Sequence, residues 1–176
     1  SPCFQLQGGE SSLGDWMTDC TRHWAKTDIA FQNGGGIRAD IEAGPVTLRS
    51  LFNVMPFENR LVKLTMTGAQ IREILEQGFG GGHVVQLSGL EVSYDGQKPL
   101  GQRILSVTAG GKALDAQGRY SVATLDFLVK GGDGFSAFSR AEKTEETQVL
   151  MRDILRSCAQ ETPDIRKPEA GRLRPL

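Results

Sequence analysis

The sequence predicts an α+β fold, in which a mixed β-sheet packs with helices, because segments of strand periodicity and segments of helix periodicity follow one another without strict alternation. The chain has 176 residues, of which 39% are hydrophobic, enough for a single domain over 1–176 with a substantial core. We expect that core within about 6–160. The polar, proline-containing tail over 161–176 is expected to be a surface strap or a loose end.

The first half of the chain contains predicted elements of both kinds. Apolar residues between Leu13 and Trp24 recur every three or four positions, which predicts a helix with Trp24 on its core face. Thr47 is a helix-capping residue type, and the alternation that follows Arg60 is typical of a strand. The predicted elements are helices over 10–26, 47–52 and 68–77 and strands over 28–32 and 60–67.

The second half continues with three predicted strands and a final helix. Gly89 lies inside the first of these strands, at a position where another group can approach the backbone closely. The Gly110-Gly111 turn would join the other two strands, and the glycine-rich stretch 78–82 is predicted to be the most flexible segment. The predicted elements are strands over 84–94, 103–108 and 120–124 and a helix over 144–159.

Composition argues against several classes of partner. The formal net charge is -1, and Lys and Arg are spread along the chain, so no basic surface for nucleic acid or for an anionic membrane is predicted. No apolar run approaches the roughly 20 residues that cross a bilayer, so no membrane span is predicted. Small anions remain open as ligands.

Cysteine and histidine do not occur in metal-binding or catalytic patterns. Cys20 and Cys158 are expected to be buried free thiols, with a bridge between them as the alternative if their helices pack together. His23 is expected on a helix surface, and His83 follows a glycine-rich loop without an acidic partner at ligand spacing. The chain is therefore predicted to hold no metal ion, no cofactor and no catalytic residue of its own.

Two glycine-rich turns carry binding chemistry. Asn33-Gly34-Gly35-Gly36-Ile37-Arg38 offers unobstructed backbone N–H groups and an arginine fork suited to phosphate or carboxylate. Asp133, between glycines in the second turn, could accept two hydrogen bonds from a ribose diol, although Asp-Gly is also a common turn pair. Phe57 and Phe127, at loop edges, could sandwich a base or lie in the core.

In combination, five ordered motifs closely resemble the C-terminal domain of the bacterial and animal 5'-nucleotidases, over roughly residues 6–160. These motifs are Asn33–Arg38, Pro56-Phe57, Ser88-Gly89, Tyr120–Thr124 and Gly131–Phe135. The resemblance implies that this chain binds the nucleotide, while a separate N-terminal metallophosphoesterase domain holds two divalent metal ions and the catalytic His/Asp pair. It also implies nucleotide catabolism in the periplasm or at the cell surface.

The same resemblance implies roles for eight residues of the chain. Phe57 and Phe127 would stack on the base, with Asn59 and the Gly89 backbone beside it. Asp133 would bind the ribose hydroxyls. The phosphate side would be contacted by Asn33, Gly36 and Arg38. The partners expected on this basis are a nucleotide or nucleoside and the N-terminal domain of the same polypeptide.

Two positions depart from the family pattern. Gln7 stands where members commonly have an arginine, which removes one phosphate-side cation, and Glu58 stands where glycine is common, which places a negative charge near the base. Related substrates therefore stay open as alternatives, namely a UDP-sugar, a cyclic nucleotide or a sulfur-carrier adduct. A stand-alone nucleotide-binding module without catalysis, and an interaction domain whose glycines only form turns, are further alternatives.

Overall fold

The computed structural model describes residues 9–80, 84–162, 165–166 and 168–176. The helices within these ranges are α1 (Ser12–Ala25), α2 (Leu48–Val54), α3 (Gly68–Gly80), α4 (Asp126–Val129) and α5 (Met151–Glu161). The strands are β1 (Ile29–Asn33), β2 (Arg60–Thr67), β3 (Val85–Ser88), β4 (Leu90–Tyr94), β5 (Ile104–Ala109), β6 (Lys112–Ala113), β7 (Arg119–Leu125), β8 (Lys143–Leu150) and β9 (Leu173–Pro175). Short 3-10 turns lie at Gly34–Gly36, Gly132–Gly134 and Ser136–Arg140.

The strands form two sheets. A five-stranded sheet has the order β3-β1-β7-β2-β8, and a four-stranded sheet has the order β6-β5-β4-β9. In the larger sheet β1 and β7 are parallel, and the other pairings are antiparallel. In the smaller sheet only β4 and β9 are parallel. The mixed sheets with packed helices match the predicted α+β class.

Helix α1 covers one face of the larger sheet. It begins after Ser11, whose side chain accepts the N–H of Gly14, and it ends at Lys26 in the left-handed conformation with φ 54°. Met17 and Cys20 are buried, and the helix packs on β1, β3 and α5. The prediction that Trp24 lies on the core face is wrong, because the ring is 40% exposed at the last turn of the helix.

The predicted strand over 84–94 is in fact two strands that belong to different sheets. β3 pairs with β1 in the larger sheet, and β4 pairs with β5 in the smaller one. Gly89 stands between them with φ +87°, and a Cβ there would lie 2.1 Å from the carbonyl oxygen of Asp28. The glycine therefore allows the chain to pass from one sheet to the other under close backbone contact.

The predicted helix over 144–159 is correct only in its second half. Residues 143–150 form β8, an edge strand that pairs with β2 through Leu64 and Thr144 and through Lys63 and Glu145. The β-branched residues of this segment suit a strand, and the free edge of β2 supplies the hydrogen bonds. The apolar helical face begins at Met151.

Other boundaries differ less. α2 begins after Thr47, which forms the expected cap with Ser50, and β2 has the predicted bounds. α3 continues to Gly80, so the first part of the stretch predicted to be flexible is helical, while 81–82 and His83 lie outside the described residues. The Gly110-Gly111 turn joins β5 to the short β6 instead of to β7.

The expectation of free thiols at Cys20 and Cys158 is wrong, because these residues form a disulfide between α1 and α5. Their Cα atoms are 5.8 Å apart, a normal separation for such a bond. The packing of α1 against α5, helices separated by more than a hundred residues, brings the two sulfurs together. Cys3 lies outside the described residues.

The described end of the C-terminal tail, residues 168–176, is a strap that joins the core. β9 extends the smaller sheet, and Leu173 is 3% exposed. The buried carboxylate of Glu10 accepts the backbone N–H groups of Gly171, Arg172 and Leu173 at 2.9 to 3.2 Å. The Arg172 guanidinium forms a fork with Asp19 at 2.9 and 2.6 Å. No helix in the described ranges is long and apolar enough to cross a bilayer.

Candidate functional site

Most of the predicted binding residues lie at one edge of the five-stranded sheet. Because β1 and β7 are parallel, both end at this edge, and because β2 and β3 run antiparallel to them, both begin there. The loops at this edge are the Asn33–Arg38 turn after β1, the Phe57 and Asn59 loop before β2, and the Phe127 to Asp133 segment after β7. Separate stretches of sequence therefore meet around one surface.

Gly89 does not lie with the other predicted residues. It follows β3, whose Ser88 pairs with Ala30 near the start of β1, whereas Asn33 at the end of β1 pairs with Val85. Gly89 is therefore at the opposite edge of the sheet. The close approach of Asp28 described above explains why a glycine stands there without invoking a ligand.

A chain of side-chain hydrogen bonds connects the two glycine-rich turns. Asn33 is 4% exposed, its Oδ1 accepts Gln32 Nε2 at 3.0 Å, and its Nδ2 donates to Asp133 Oδ2 at 2.7 Å. One carboxylate oxygen of Asp133 is thereby fixed. Asp133 is held in the left-handed conformation at φ 54°, which a short polar side chain tolerates. The turns thus form one connected unit.

Glycines in the first turn make room for this unit. A Cβ on Gly36 would lie 2.8 Å from both Asn33 Oδ1 and Gln32 Nε2, and one on Gly34 would lie 2.9 Å from the carbonyl oxygen of Val84. These separations are shorter than van der Waals contact, so larger residues would displace the Asn33 amide. Gly36 therefore supports the site through packing.

Arg38 is placed at the rim of the first turn. Its backbone N–H donates to Val54 O at 2.8 Å, and its Nη1 donates to Gly35 O at 3.3 Å. The side chain is exposed, and it forms no ion pair with a carboxylate among the described residues. The guanidinium thus keeps donors available for an anion in solution.

Both predicted stacking rings are at the surface, which rules out the alternative that they belong to the core. Phe57 is 45% exposed and Phe127 is 40% exposed. The Phe127 ring lies against the backbone of Gly132, where a Cβ would be 2.4 Å from ring carbon Cε1. Exposed aromatic rings at a loop-rich edge are suited to contact with another flat group. Asn59, beside Phe57, is half-buried, and its carbonyl oxygen accepts the N–H of Met151 at 2.9 Å.

Two residues at this edge were not found from the sequence. Gln32 orients the Asn33 amide, as described above. Asp126 Oδ1 accepts the backbone N–H groups of Arg60 at 3.1 Å and Phe127 at 2.9 Å, so it connects the two loops that carry the exposed rings. An acidic residue at the end of an apolar strand, directly before Phe127, was the available signal for Asp126.

Two clefts of the described structure lie away from the candidate surface. One, of about 590 Å³, is lined by Arg22, Ser88 and Gly89 at the opposite edge. The other, of about 720 Å³, lies between α1, α2 and α5. Within the described ranges, no group of three His, Cys, Asp or Glu side chains is arranged to hold a metal ion.

The family is decided by a match over most of the chain. Residues 3–140 match the family model described as the 5'-nucleotidase, C-terminal domain. The chain belongs to this family. The resemblance drawn from the five motifs is thereby confirmed, and since 5'-nucleotidases are hydrolases, the 5'-nucleotidase C-terminal domain seen here is part of a hydrolase family.

Two relatives support the assignment of this chain to the 5'-nucleotidase C-terminal domain family. The trifunctional nucleotide phosphoesterase protein YfkN of Bacillus subtilis is 40% identical over 159 residues, which cover 82% of this chain and 11% of that protein. The cell wall protein Lmo0130 of Listeria monocytogenes is 36% identical over 148 residues, covering 75% and 19% of the two chains. The chain thus spans less than a fifth of the length of these relatives.

The fold of the 5'-nucleotidase C-terminal domain is likewise confirmed by a solved structure. The crystal structure of a 5'-nucleotidase precursor from Thermus thermophilus superposes with a TM-score of 0.90 at 33% sequence identity. The match covers 95% of this chain and 36% of that one.

Proposed function

We propose that this chain is the substrate-binding domain of a 5'-nucleotidase-type phosphohydrolase. The observation that carries the proposal is the hydrogen bond between Asn33 and Asp133, which joins the two glycine-rich turns at the edge where the rings of Phe57 and Phe127 are exposed. In this proposal a nucleoside lies with its base between the rings and its phosphate toward Arg38.

The base is the part of the ligand that the two rings would bind. Covering an exposed phenylalanine with a flat aromatic group is favourable, and stacking contributes about 1 to 3 kcal/mol of binding free energy per base. Stacking is tolerant of base identity, because every base presents a π-face. The Glu58 carboxylate, which is exposed next to Phe57, would then influence which base is preferred.

The ribose and phosphate would be bound by the turns. Asp133 Oδ2 is occupied by Asn33, which leaves Oδ1 to accept a ribose hydroxyl. Asn33 Nδ2 has two hydrogens, and only one is used in that bond, so the second can donate toward the ligand. Arg38 at the rim supplies the positive charge for phosphate.

Catalysis is assigned to a different part of the parent protein. The proposal places two divalent metal ions in a separate N-terminal metallophosphoesterase domain, where they would activate water and stabilise charge on the phosphoryl group. The small fraction of each relative that this chain covers supports a parent with further domains. On its own, the chain is expected to bind substrate without hydrolysing it.

The proposed location is the periplasm or the cell exterior. The Cys20–Cys158 disulfide supports this assignment, because such bonds persist in oxidising compartments and are rare in the cytosol. The match to a relative named as a cell wall protein is consistent with it. Nucleotide catabolism outside the cytoplasm is the corresponding biological role.

Calorimetric titration of the folded chain with adenosine tests the proposal. We expect saturable binding that Phe57→Ala and Phe127→Ala each weaken by about 10- to 100-fold, the equivalent of one lost stacking contact. Trp24→Ala is the matched control, since this ring is as exposed as Phe127 but lies at the end of α1, and it should leave affinity unchanged. Equal affinity in all three variants would contradict the ring sandwich.

The same titration with AMP and UDP-glucose tests the phosphate side and the alternative substrates. Arg38→Ala is expected to weaken AMP more than adenosine, because only AMP carries the phosphate. Equal losses for the two ligands would count against this role of Arg38. Tighter binding of UDP-glucose than of AMP would favour the UDP-sugar alternative, and a folded chain that binds none of the three would contradict the assignment as a self-sufficient binding domain.

A further inference from the structure

The two loops that carry the exposed rings share a single hydrogen-bond acceptor. Asp126 follows β7, and its Oδ1 accepts the N–H of Arg60 at 3.1 Å and the N–H of Phe127 at 2.9 Å. Arg60 is three residues from Phe57, at the start of β2. One carboxylate oxygen therefore fixes the backbone on both sides of the proposed base-binding space.

The Phe57 loop is also fixed from a second direction. The first residues of α5 hold both of its ends, since Met151 N–H donates to Asn59 O at 2.9 Å and Arg152 Nη1 donates to Met55 O at 3.2 Å. The Arg152 guanidinium lies 4.7 Å from the ring centroid of Phe52. The loop between Met55 and Asn59 is thus short and tied at each end, so the position of Phe57 follows that of its anchors.

On the other side, Phe127 has little freedom of its own. Its N–H is bound by Asp126, and its ring lies against Gly132. Lys130 Nζ is 3.7 Å from Asp126 Oδ2, the oxygen that does not bind the two amides. Each carboxylate oxygen of Asp126 therefore has its own partners. The ion pair with Lys130 can be removed by substitution without removing the hydrogen bonds to the two amides.

We propose that Asp126 is a positioning residue, which sets the separation of the Phe57 and Phe127 rings and thereby the affinity for the base. The inference rests on the proposed function. A carboxylate that accepts backbone N–H groups forms hydrogen bonds of the strong, charge-assisted kind. Dispersion contacts weaken steeply with distance, and a gap of about 0.5 to 1 Å already removes a quarter to a half of the attraction. A small shift of either ring would therefore loosen a base held between both.

A purely structural role is the competing explanation, in which Asp126 only begins the short helix α4 and pairs with Lys130. Three variants separate the two roles. Asp126→Ala removes the shared acceptor, Asp126→Asn keeps an oxygen acceptor without the charge, and Lys130→Ala removes the ion pair but leaves Oδ1 in place.

The experiment combines adenosine titration of the 176-residue chain with amide hydrogen exchange measured by NMR. We expect Asp126→Ala to weaken adenosine by about 10-fold or more. Exchange should accelerate at the amides of Arg60 and Phe127. Asp126→Asn should stay within about 3-fold of the unchanged chain and keep most of the amide protection, and Lys130→Ala should alter neither quantity.

A double variant shows whether Asp126 acts through the ring. If it does, the loss caused by Asp126→Ala should shrink when Phe57→Ala is already present, because there is one ring fewer to position. Full additivity of the two losses would overturn the proposal. If Asp126→Ala does not fold, Asp126→Glu moves the carboxylate outward by one methylene and gives the same readouts.

The outcomes distinguish this inference from the function on which it rests. If the folded, unchanged chain does not bind adenosine, the proposed function fails, and protection retained at Arg60 and Phe127 in Asp126→Ala would overturn the positioning role as well. If the unchanged chain binds adenosine and Asp126→Ala binds it equally well, the function stands and the positioning role is overturned.

Discussion

At the scale of single residues, the candidate site depends on side chains that orient other side chains. Gln32 holds the Asn33 amide, Asn33 holds Asp133, and Asp126 holds the amides of Arg60 and Phe127. Groups fixed in this way lose little freedom when a ligand binds, which favours affinity. The polar core of this edge is therefore built before any ligand arrives.

A second residue-scale feature lies beneath the C-terminal strap. Asp15 is 1% exposed, and burial raises its pKa from 3.8 to about 8, although the charge of Arg172 acts in the opposite direction. The neighbouring carboxyl groups of Glu10 and Asp19 act in the same direction as burial and contribute to this raised pKa. Between these two values the folded chain keeps a proton that the unfolded chain releases, so the free energy of unfolding falls as pH rises from about 4 to about 8.

Asp15→Asn should remove this pH dependence. The asparagine is neutral at every pH, so the variant should lose less stability than the unchanged chain as pH rises from about 5 to about 8. Over this range, the fall in the free energy of unfolding should be larger in the unchanged chain than in the variant by more than about 1.4 kcal/mol, the equivalent of a single pKa unit. Urea unfolding at several pH values measures the difference, and parallel curves for the two proteins would show that Asp15 is ionised in the folded state.

Sequence patterns located the residues of this edge but not the bonds among them. The glycine-rich turns, Arg38 and the two phenylalanines were singled out because each carries recognisable binding chemistry. Gln32 and Asp126 were not, because their importance comes from partners that only the fold brings near, such as Arg60, which is 66 residues from Asp126. For the same reason Gly89 was placed with the ligand, although its close neighbour is Asp28.

At the scale of elements, α5 connects the sheet edge that carries the candidate site to the rest of the molecule. Its first residues hold the Phe57 loop, and Cys158 near its end is bonded to Cys20 of α1. The disulfide joins positions that are 138 residues apart, so it constrains a large part of the unfolded chain. Helix α5 is therefore anchored at both ends.

Loss of the disulfide should lower stability substantially. We expect a combined Cys20→Ser and Cys158→Ser variant to lose about 2 to 5 kcal/mol in the free energy of unfolding. Urea unfolding with and without a reductant provides the comparison. Reductant should bring the unchanged chain to the stability of the variant and should leave the variant unaffected. A variant as stable as the oxidised chain would contradict a stabilising role.

The sequence predicts best those elements whose type and bounds are determined by residues close together in the sequence. β2 alternates within itself, and α2 carries its own cap at Thr47, so both were placed correctly. The segment 143–150 combines β-branched residues, which favour a strand, with charged residues that are common in helices, and its pairing with β2 makes it a strand. The passage of the chain from one sheet to the other at Gly89 also depends on tertiary pairing.

At the scale of the whole molecule, the C-terminal strap ties the two sheets together. β9 pairs with β4 of the smaller sheet, while the side chain of Arg172 binds Asp19 of α1, which packs on the larger sheet. Arg172 Nη1 also donates to the carbonyl oxygen of Leu87 in β3 at 2.9 Å. The side chain of Arg172 therefore binds α1 and β3, which pack together around the larger sheet, while the strand that follows it pairs with the smaller sheet.

Arg172→Ala should lower the stability of the chain more than Arg174→Ala does. Arg172 is largely buried but its partner Asp19 is 40% exposed, so the loss of their fork and of the bond to Leu87 should cost about 1 to 3 kcal/mol. Arg174→Ala is the control, because Arg174 pairs with Glu91 at 3.1 Å on the surface, and such pairs contribute at most about 1 kcal/mol. Thermal and urea unfolding of both variants provide the measurement. Equal stability of the two would mean that the pairing of β9 and the Glu10 carboxylate hold the strap without help from the Arg172 side chain.

The hydrogen bond between Asn33 and Asp133 joins residues that are 100 positions apart. Contacts of such long range form slowly, because the entropy lost in closing the loop precedes the favourable contacts. A growing chain that has not yet reached Asp133 lacks one side of the candidate binding surface altogether. During refolding, the ability to bind ligand therefore reports only molecules that have completed folding. Its recovery should be slower than the recovery of signals that report local helix formation.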